Sequence, residues 1–138
     1  MILKKLKLTN FRQFKGEQEL SFSQEEDKNV TVIHAENGFG KTALLNALHW
    51  GFWGKLTGDM PLPENLITEC VVSAAGNEET QAIVQIEYVH NNEDFFLRRS
   101  ITSSQCRHNY KDTKLVLNKV ERGVVQKVNN PESSIGDQ

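Results

Sequence analysis

The stretch VTVIHAENGFGKTALLNALHWGFWGK, Val30 to Lys55, joins a β-branched run to a helix-like apolar pattern through a cluster of small residues. The run from Val30 to His34 has the composition of a central, buried strand. Apolar residues then recur at spacings of three and four, which is typical of one helix face: Leu44, Leu45, Leu48 and Phe52. The pattern predicts a helix from about Gly40 to Trp53 that ends at Gly54.

The junction between the predicted strand and helix, Ala35 to Thr42, fits the phosphate-binding pattern G-x-x-x-x-G-K-[ST] at every fixed position except the first, where Ala35 replaces glycine. Gly38 and Gly40 lack Cβ atoms, so the loop can turn tightly and direct its N–H groups at an anion. The start of the helix adds unsatisfied amides and the positive end of the helix dipole. We interpret the loop as a phosphate cradle.

Two side chains after the glycines suit a nucleoside triphosphate with its metal. Lys41 supplies a mobile cation for the β- and γ-phosphates. Thr42 offers a hydroxyl to Mg²⁺, which prefers hard oxygen ligands, and is the predicted metal ligand. The predicted nucleotide-binding residues of this loop are Asn37, Gly38, Phe39, Gly40, Lys41, Thr42 and Ala43.

The other segments predict a second group of strands within a single α/β domain. Ile2–Thr9 and Glu17–Phe22 form a predicted N-terminal strand pair, and about four antiparallel strands follow in the second half. The predicted organisation is a core over residues 1–55, an irregular excursion over 56–79, antiparallel strands over 80–128 and a polar tail over 129–138.

Bulk composition narrows the class of protein. The chain has 138 residues, 38% hydrophobic and 25% charged, which fits one soluble domain. Cys70 and Cys106 form no metal-ligand spacing, so free thiols in a reducing compartment are expected. No apolar stretch approaches the ~20 residues that span a bilayer, so we expect a cytoplasmic protein without membrane contact.

Charge is distributed unevenly, although the net charge is only −2. Residues 25–94 carry twelve acidic and three basic side chains, whereas residues 95–128 carry eight basic and two acidic ones. Two interpretations fit this asymmetry: a basic face for DNA phosphates, or solvated lysine-rich strand edges.

The segments LKLTNFRQFKGEQELSF and VTVIHAENGFGKTALLNALHWGFWG, in that order, resemble the N-terminal head lobe of SMC-like ATPases, which include the SbcC, DndD and RecF types. The later segment NNEDFFLRRS looks like a strand of the same lobe. The resemblance is good over the first 55 residues and loose over 80–128. It implies a P-loop head lobe with an N-terminal strand pair, a P-loop strand–helix unit and an antiparallel meander.

The resemblance also implies roles for single residues. Arg12 would lie near the phosphates of ATP, beside the loop from Asn37 to Thr42, whereas its sequence context alone fits a solvated turn arginine equally well. Arg98 and Arg99 lie on opposite faces of their strand, so at most one could reach a shared site, and both are expected at the surface.

The resemblance further implies ATP hydrolysis between two heads of a homodimer, with DNA and a nuclease or accessory subunit in the full assembly, in double-strand break repair or defence. The sequence has no apolar strand ending in Asp-Glu, no signature serine segment and no coiled coil. We therefore expect part of a longer ATPase, with no catalytic residue and no ATPase activity in this chain alone.

Two other readings remain open at this point. One is the nucleotide-binding subunit of a transporter, against which the opening TNFRQF argues. The other is a non-hydrolysing, nucleotide-dependent interaction module.

Overall fold

The computed structural model describes residues 1–55, 57–58, 63–121 and 124–127. The elements follow in this order: β1 (Ile2–Phe11), β2 (Phe14–Ser21), α1 (Lys41–Trp53), a 3₁₀ turn (Pro63–Leu66), α2 (Glu69–Ala75), β3 (Gln81–His90), β4 (Glu93–Thr102), α3 (Ser103–His108), β5 (Lys114–Glu121) and β6 (Val124–Lys127). The α/β class, the N-terminal strand pair and the four later strands are confirmed. The predicted tail, residues 129–138, lies outside the described residues.

The described strands form one antiparallel sheet in the order β2-β1-β3-β4-β5-β6. β1 is the strand that joins the two halves of the chain, because Leu6 pairs with Leu20 of β2 on one side and with Ile86 of β3 on the other. A two-residue turn closes the β3–β4 hairpin, where Asn91 and Asn92 have φ angles of 51° and 60°. Asparagine tolerates this left-handed conformation, which tight hairpins require.

Alternation along the strands gives the sheet one buried face. Its core residues include Leu6, Leu8, Val84, Ile86, Leu97 and Leu115. The intervening side chains of the first two strands lie on the other face, where Lys5 pairs with Glu19 and Lys7 with Glu17, each at 3.4 Å. Exposed pairs of this kind add little stability, so the fold depends on the apolar face.

Helix α1 begins and ends as predicted, but its buried face agrees only in part with the predicted apolar stripe. The buried residues are Ala43, Asn46, Ala47, Trp50, Gly51 and Phe52, whereas Leu45 is 67% exposed. A Cβ atom on Gly51 would lie 2.8 Å from Ile86 and 2.9 Å from Val84. The helix therefore approaches the sheet so closely that small residues must occupy the contact. Of the predicted stripe, Phe52 is buried and Leu44 and Leu48 are partly buried against the core, so Leu45 is the one member that the pattern placed wrongly.

The predicted strand from Val30 to His34 is absent, which corrects the P-loop strand–helix unit expected from the sequence. Residues 29–36 have no regular secondary structure, and Val30 and Val32 are 76% and 82% exposed. β-Branched residues favour a strand only where a neighbouring strand pairs with their backbone and covers their side chains. The described part of the chain provides no such neighbour for this run.

Helices also form in two segments for which the sequence predicted none. The 3₁₀ turn and α2 lie within residues 56–79. α3 lies in the polar stretch after β4, and it begins with a capping box between Thr102 and Gln105. Such a box satisfies two amide groups at the helix start.

Arg99 is buried, contrary to the expectation that both strand arginines are exposed. Only 2% of its surface is accessible. Its guanidinium donates hydrogen bonds to the carbonyl oxygens of Gly51 at 3.0 Å and Phe52 at 3.4 Å, and to the Thr113 hydroxyl at 2.6 Å. Backbone carbonyls at the end of α1 thus compensate the buried charge.

Candidate functional site

The glycine loop before α1 turns through left-handed backbone. Gly38 has a φ of 89° and Gly40 a φ of 101°, and the Phe39 N–H donates to the Glu36 carbonyl at 3.3 Å. A Cβ atom on Gly40 would lie 2.7 Å from the Phe14 ring and 3.1 Å from the Gln13 amide. Glycine is therefore required at position 40 by both the φ angle and the packing.

Helix α1 starts without a competing side chain. Gly40 is the N-cap residue, no side chain caps the helix start, and the first turn contains no acidic residue. The first backbone bond of the helix runs from the Leu44 N–H to the Gly40 carbonyl at 3.0 Å. The N–H groups of the first turn and the positive end of the dipole are therefore available to an anion.

The turn between β1 and β2 lies against this loop. A cavity of about 150 Å³ is lined by Arg12, Gln13, Asn37, Gly38, Gly40, Lys41, Thr42 and Ala43. Seven of the eight residues named from the sequence thus meet at one place. The eighth, Phe39, is 70% exposed instead.

Gln13 also lines the cavity, although it was not among the residues predicted from the sequence. The signal was its position directly after Arg12, since a tight turn brings neighbouring side chains to the same place. A second, larger cavity of about 710 Å³ lies beside the first and also includes Arg12 and Gln13 in its lining. These two residues therefore form a wall shared by both cavities.

The small cavity has the chemistry that a nucleotide phosphate chain requires. Arg12 and Lys41 supply positive charge, Gly38 and Gly40 allow close approach of the backbone, and Thr42 places a hydroxyl at the start of the helix. A Mg²⁺ ion bound with the nucleotide would take this hydroxyl as a ligand. Among the described residues that line the cavity, none is a carboxylate.

Among the residues that the structure describes, neither a second metal site nor a membrane-spanning helix is found. These residues contain no cluster of three or more His, Cys, Asp or Glu side chains that could bind a metal ion. No described helix is both long and apolar enough to cross a bilayer. Cys70 is exposed and Cys106 is buried, and the two do not form a disulfide bond.

A glycine loop that leads into an uncapped helix with Lys-Thr at its start is typical of P-loop nucleotide-binding proteins. A family model described as an AAA domain matches residues 5–135. The chain therefore belongs to this AAA domain family of ATP-binding ATPases. No match was found among the curated proteins.

Proposed function

We propose that this chain is the ATP-binding lobe of an SMC-like ATPase head. The observation that carries the proposal is the convergence of the glycine loop, the uncapped start of α1 and the Arg12–Gln13 turn on one small cavity. The family match supports the ATPase class. The order of motifs, with Asn-Phe-Arg before the glycine loop, supports the SMC-like type.

In this proposal each group has a distinct task. The amides of the loop and of the first turn of α1 hold the phosphate oxygens, because unsatisfied N–H groups and the helix dipole attract negative charge. Lys41 and Arg12, which both line the cavity, neutralise the phosphate chain. Thr42 holds the Mg²⁺ that accompanies the nucleotide, and the metal supplies charge stabilisation at the γ-phosphate.

Hydrolysis needs a further group that positions and activates water. The cavity lining has no carboxylate among its described residues, so we propose that the remaining half of the head provides it. The exposed apolar side chains of Val30, Val32 and Ile33 support this idea, since another strand would cover them. Two such heads would then dimerise across ATP in a DNA repair or defence assembly with DNA and a nuclease or accessory subunit.

Binding is tested by titrating the chain with ATP and Mg²⁺ in a calorimeter. Lys41→Ala removes a charge-assisted contact and should weaken binding by about tenfold or more. Lys55→Ala is the matched control, because Lys55 lies just beyond the other end of the same helix. Equal ATP affinities for the wild type and Lys41→Ala would contradict the assignment of the cradle.

Hydrolysis is tested separately by phosphate release. The chain alone should show no activity above its Lys41→Ala variant, whereas activity should appear once the other half of the head is added. Turnover by the chain alone that disappears in Lys41→Ala would show that it contains its own water-activating group.

A further inference from the structure

The turn that carries Arg12 has an unusual backbone. Asn10 and Arg12 have φ angles of 48° and 49°, and neither is a glycine. Left-handed backbone is uncommon for residues with a side chain, above all for one as long as arginine. Asn10 lies at the register shift near the end of β1, and Arg12 lies in the turn itself. Two such residues so close together persist only where the surrounding structure holds them.

A short segment of the chain, residues 66–68, holds the turn. Phe11 and Ile67 form an isolated antiparallel bridge. The Arg12 N–H donates to the Leu66 carbonyl at 2.9 Å, and the Thr68 N–H donates to the Asn10 carbonyl at 3.0 Å. The three residues of the segment are all buried.

Thr68 contacts the turn on both sides of Arg12. Besides its N–H bond to Asn10, its hydroxyl donates to the Phe14 carbonyl at 3.2 Å. Thr68 is also the N-cap residue of α2, a position where a threonine hydroxyl usually accepts a bond from the helix, yet here it makes no such cap. The hydroxyl is used to hold the turn instead.

Phe14 extends this connection to the glycine loop, because its ring lies against Gly40. We propose that Thr68 is a positioning residue that fixes the left-handed turn and thereby presents Arg12 to the phosphates. The part of this inference in which Arg12 binds phosphate rests on the proposed function. The restraint on the turn itself does not depend on nucleotide.

The restraint is tested first without nucleotide, by hydrogen exchange of the Arg12 amide. Thr68→Val keeps the shape of the side chain and removes the hydroxyl, whereas Thr68→Ser keeps the hydroxyl. Exchange at Arg12 should be about tenfold faster in Thr68→Val and close to wild type in Thr68→Ser. Exchange in the β3–β4 hairpin should be unchanged in both. Equal rates at Arg12 in the two variants would overturn the proposal.

The consequence for binding is tested by ATP titration of the same variants. Thr68→Val should weaken ATP binding by about three- to tenfold, and Thr68→Ser should restore it. In an Arg12→Ala background, Thr68→Val should have no further effect. The same loss with and without Arg12, or no loss at all, would overturn the positioning role. If the wild type bound no ATP while exchange still depended on the hydroxyl, the proposed function would fail and the restraint on the turn would stand.

Discussion

Removing the guanidinium of Arg99 tests how helix α1 is anchored. Arg99→Met keeps an unbranched side chain of similar length but deletes every donor. The carbonyl oxygens of Gly51 and Phe52 at the end of the helix would then lose their cationic partner, and so would the Thr113 hydroxyl. We expect the free energy of unfolding to fall by about 2–4 kcal/mol.

The estimate follows from the three contacts. Hydrogen bonds from a charged donor contribute about 1.5–3 kcal/mol each, and a buried carbonyl left without a partner carries a penalty of similar size. The contact to Phe52 is long, at 3.4 Å, and counts for little. Methionine also avoids the cost of burying a cation, which offsets part of the loss.

The assay is urea denaturation followed by circular dichroism. A loss of 2–4 kcal/mol should lower the midpoint by about 1–2 M at a typical slope. Arg98→Met is the matched control, because Arg98 is only half-buried and lies on the opposite face of the same strand, and it should change stability by less than about 0.5 kcal/mol. Indistinguishable midpoints for the two variants would refute the anchoring role of Arg99.

Two further predictions concern the acid stability of the chain and the buried face of α1. Hydrogen bonds, foremost from the Ser104 hydroxyl, lower the pKa of Glu79 from its ordinary value of 4.5 to about 2. The ionised Glu79 carboxylate therefore stabilises the fold fully above pH 4.5, and this stabilisation is lost as the pH falls toward 2. Glu79→Gln should flatten this part of a plot of melting temperature against pH. An unchanged plot would contradict the role of the carboxylate. Trp50→Ala should cost about 3–5 kcal/mol in urea denaturation and Leu45→Ala less than about 0.5 kcal/mol, and the reverse order would show that Leu45 rather than Trp50 faces the sheet.

The strands and the ends of α1 could be predicted from sequence because local signals determine them. Alternating apolar residues marked β3, and Gly54 marked the end of the helix with left-handed backbone at a φ of 66°. The glycine loop was found by the spacing of its residues. In each case the structure depends on the backbone conformation of a few residues that are adjacent in sequence, so the local pattern is enough to predict it.

The predictions that were wrong concern features that depend on contacts between residues distant in sequence. Val30 to His34 has the side chains of a strand, but pairing depends on a partner that local sequence cannot specify. Arg99 looked like a surface residue because nothing near it in sequence shows that the end of α1 lies above it. The buried face of α1 depends on the distance between helix and sheet, which Gly51 sets through its missing Cβ atom.

The two ends of helix α1 attract groups of opposite charge, anions at its N-terminus and cations at its C-terminus. Arg99 satisfies the carbonyl end, and the open amide end faces the cavity that we assign to phosphate. The two ends are about 20 Å apart, since thirteen residues rise by about 1.5 Å each. Dipole effects fade within the terminal turn, so the charge of Arg99 cannot strengthen phosphate binding directly. Arg99→Met should therefore lower stability while the folded fraction retains wild-type ATP affinity, and a loss of affinity measured well below the melting temperature would show that the anchor also shapes the cradle.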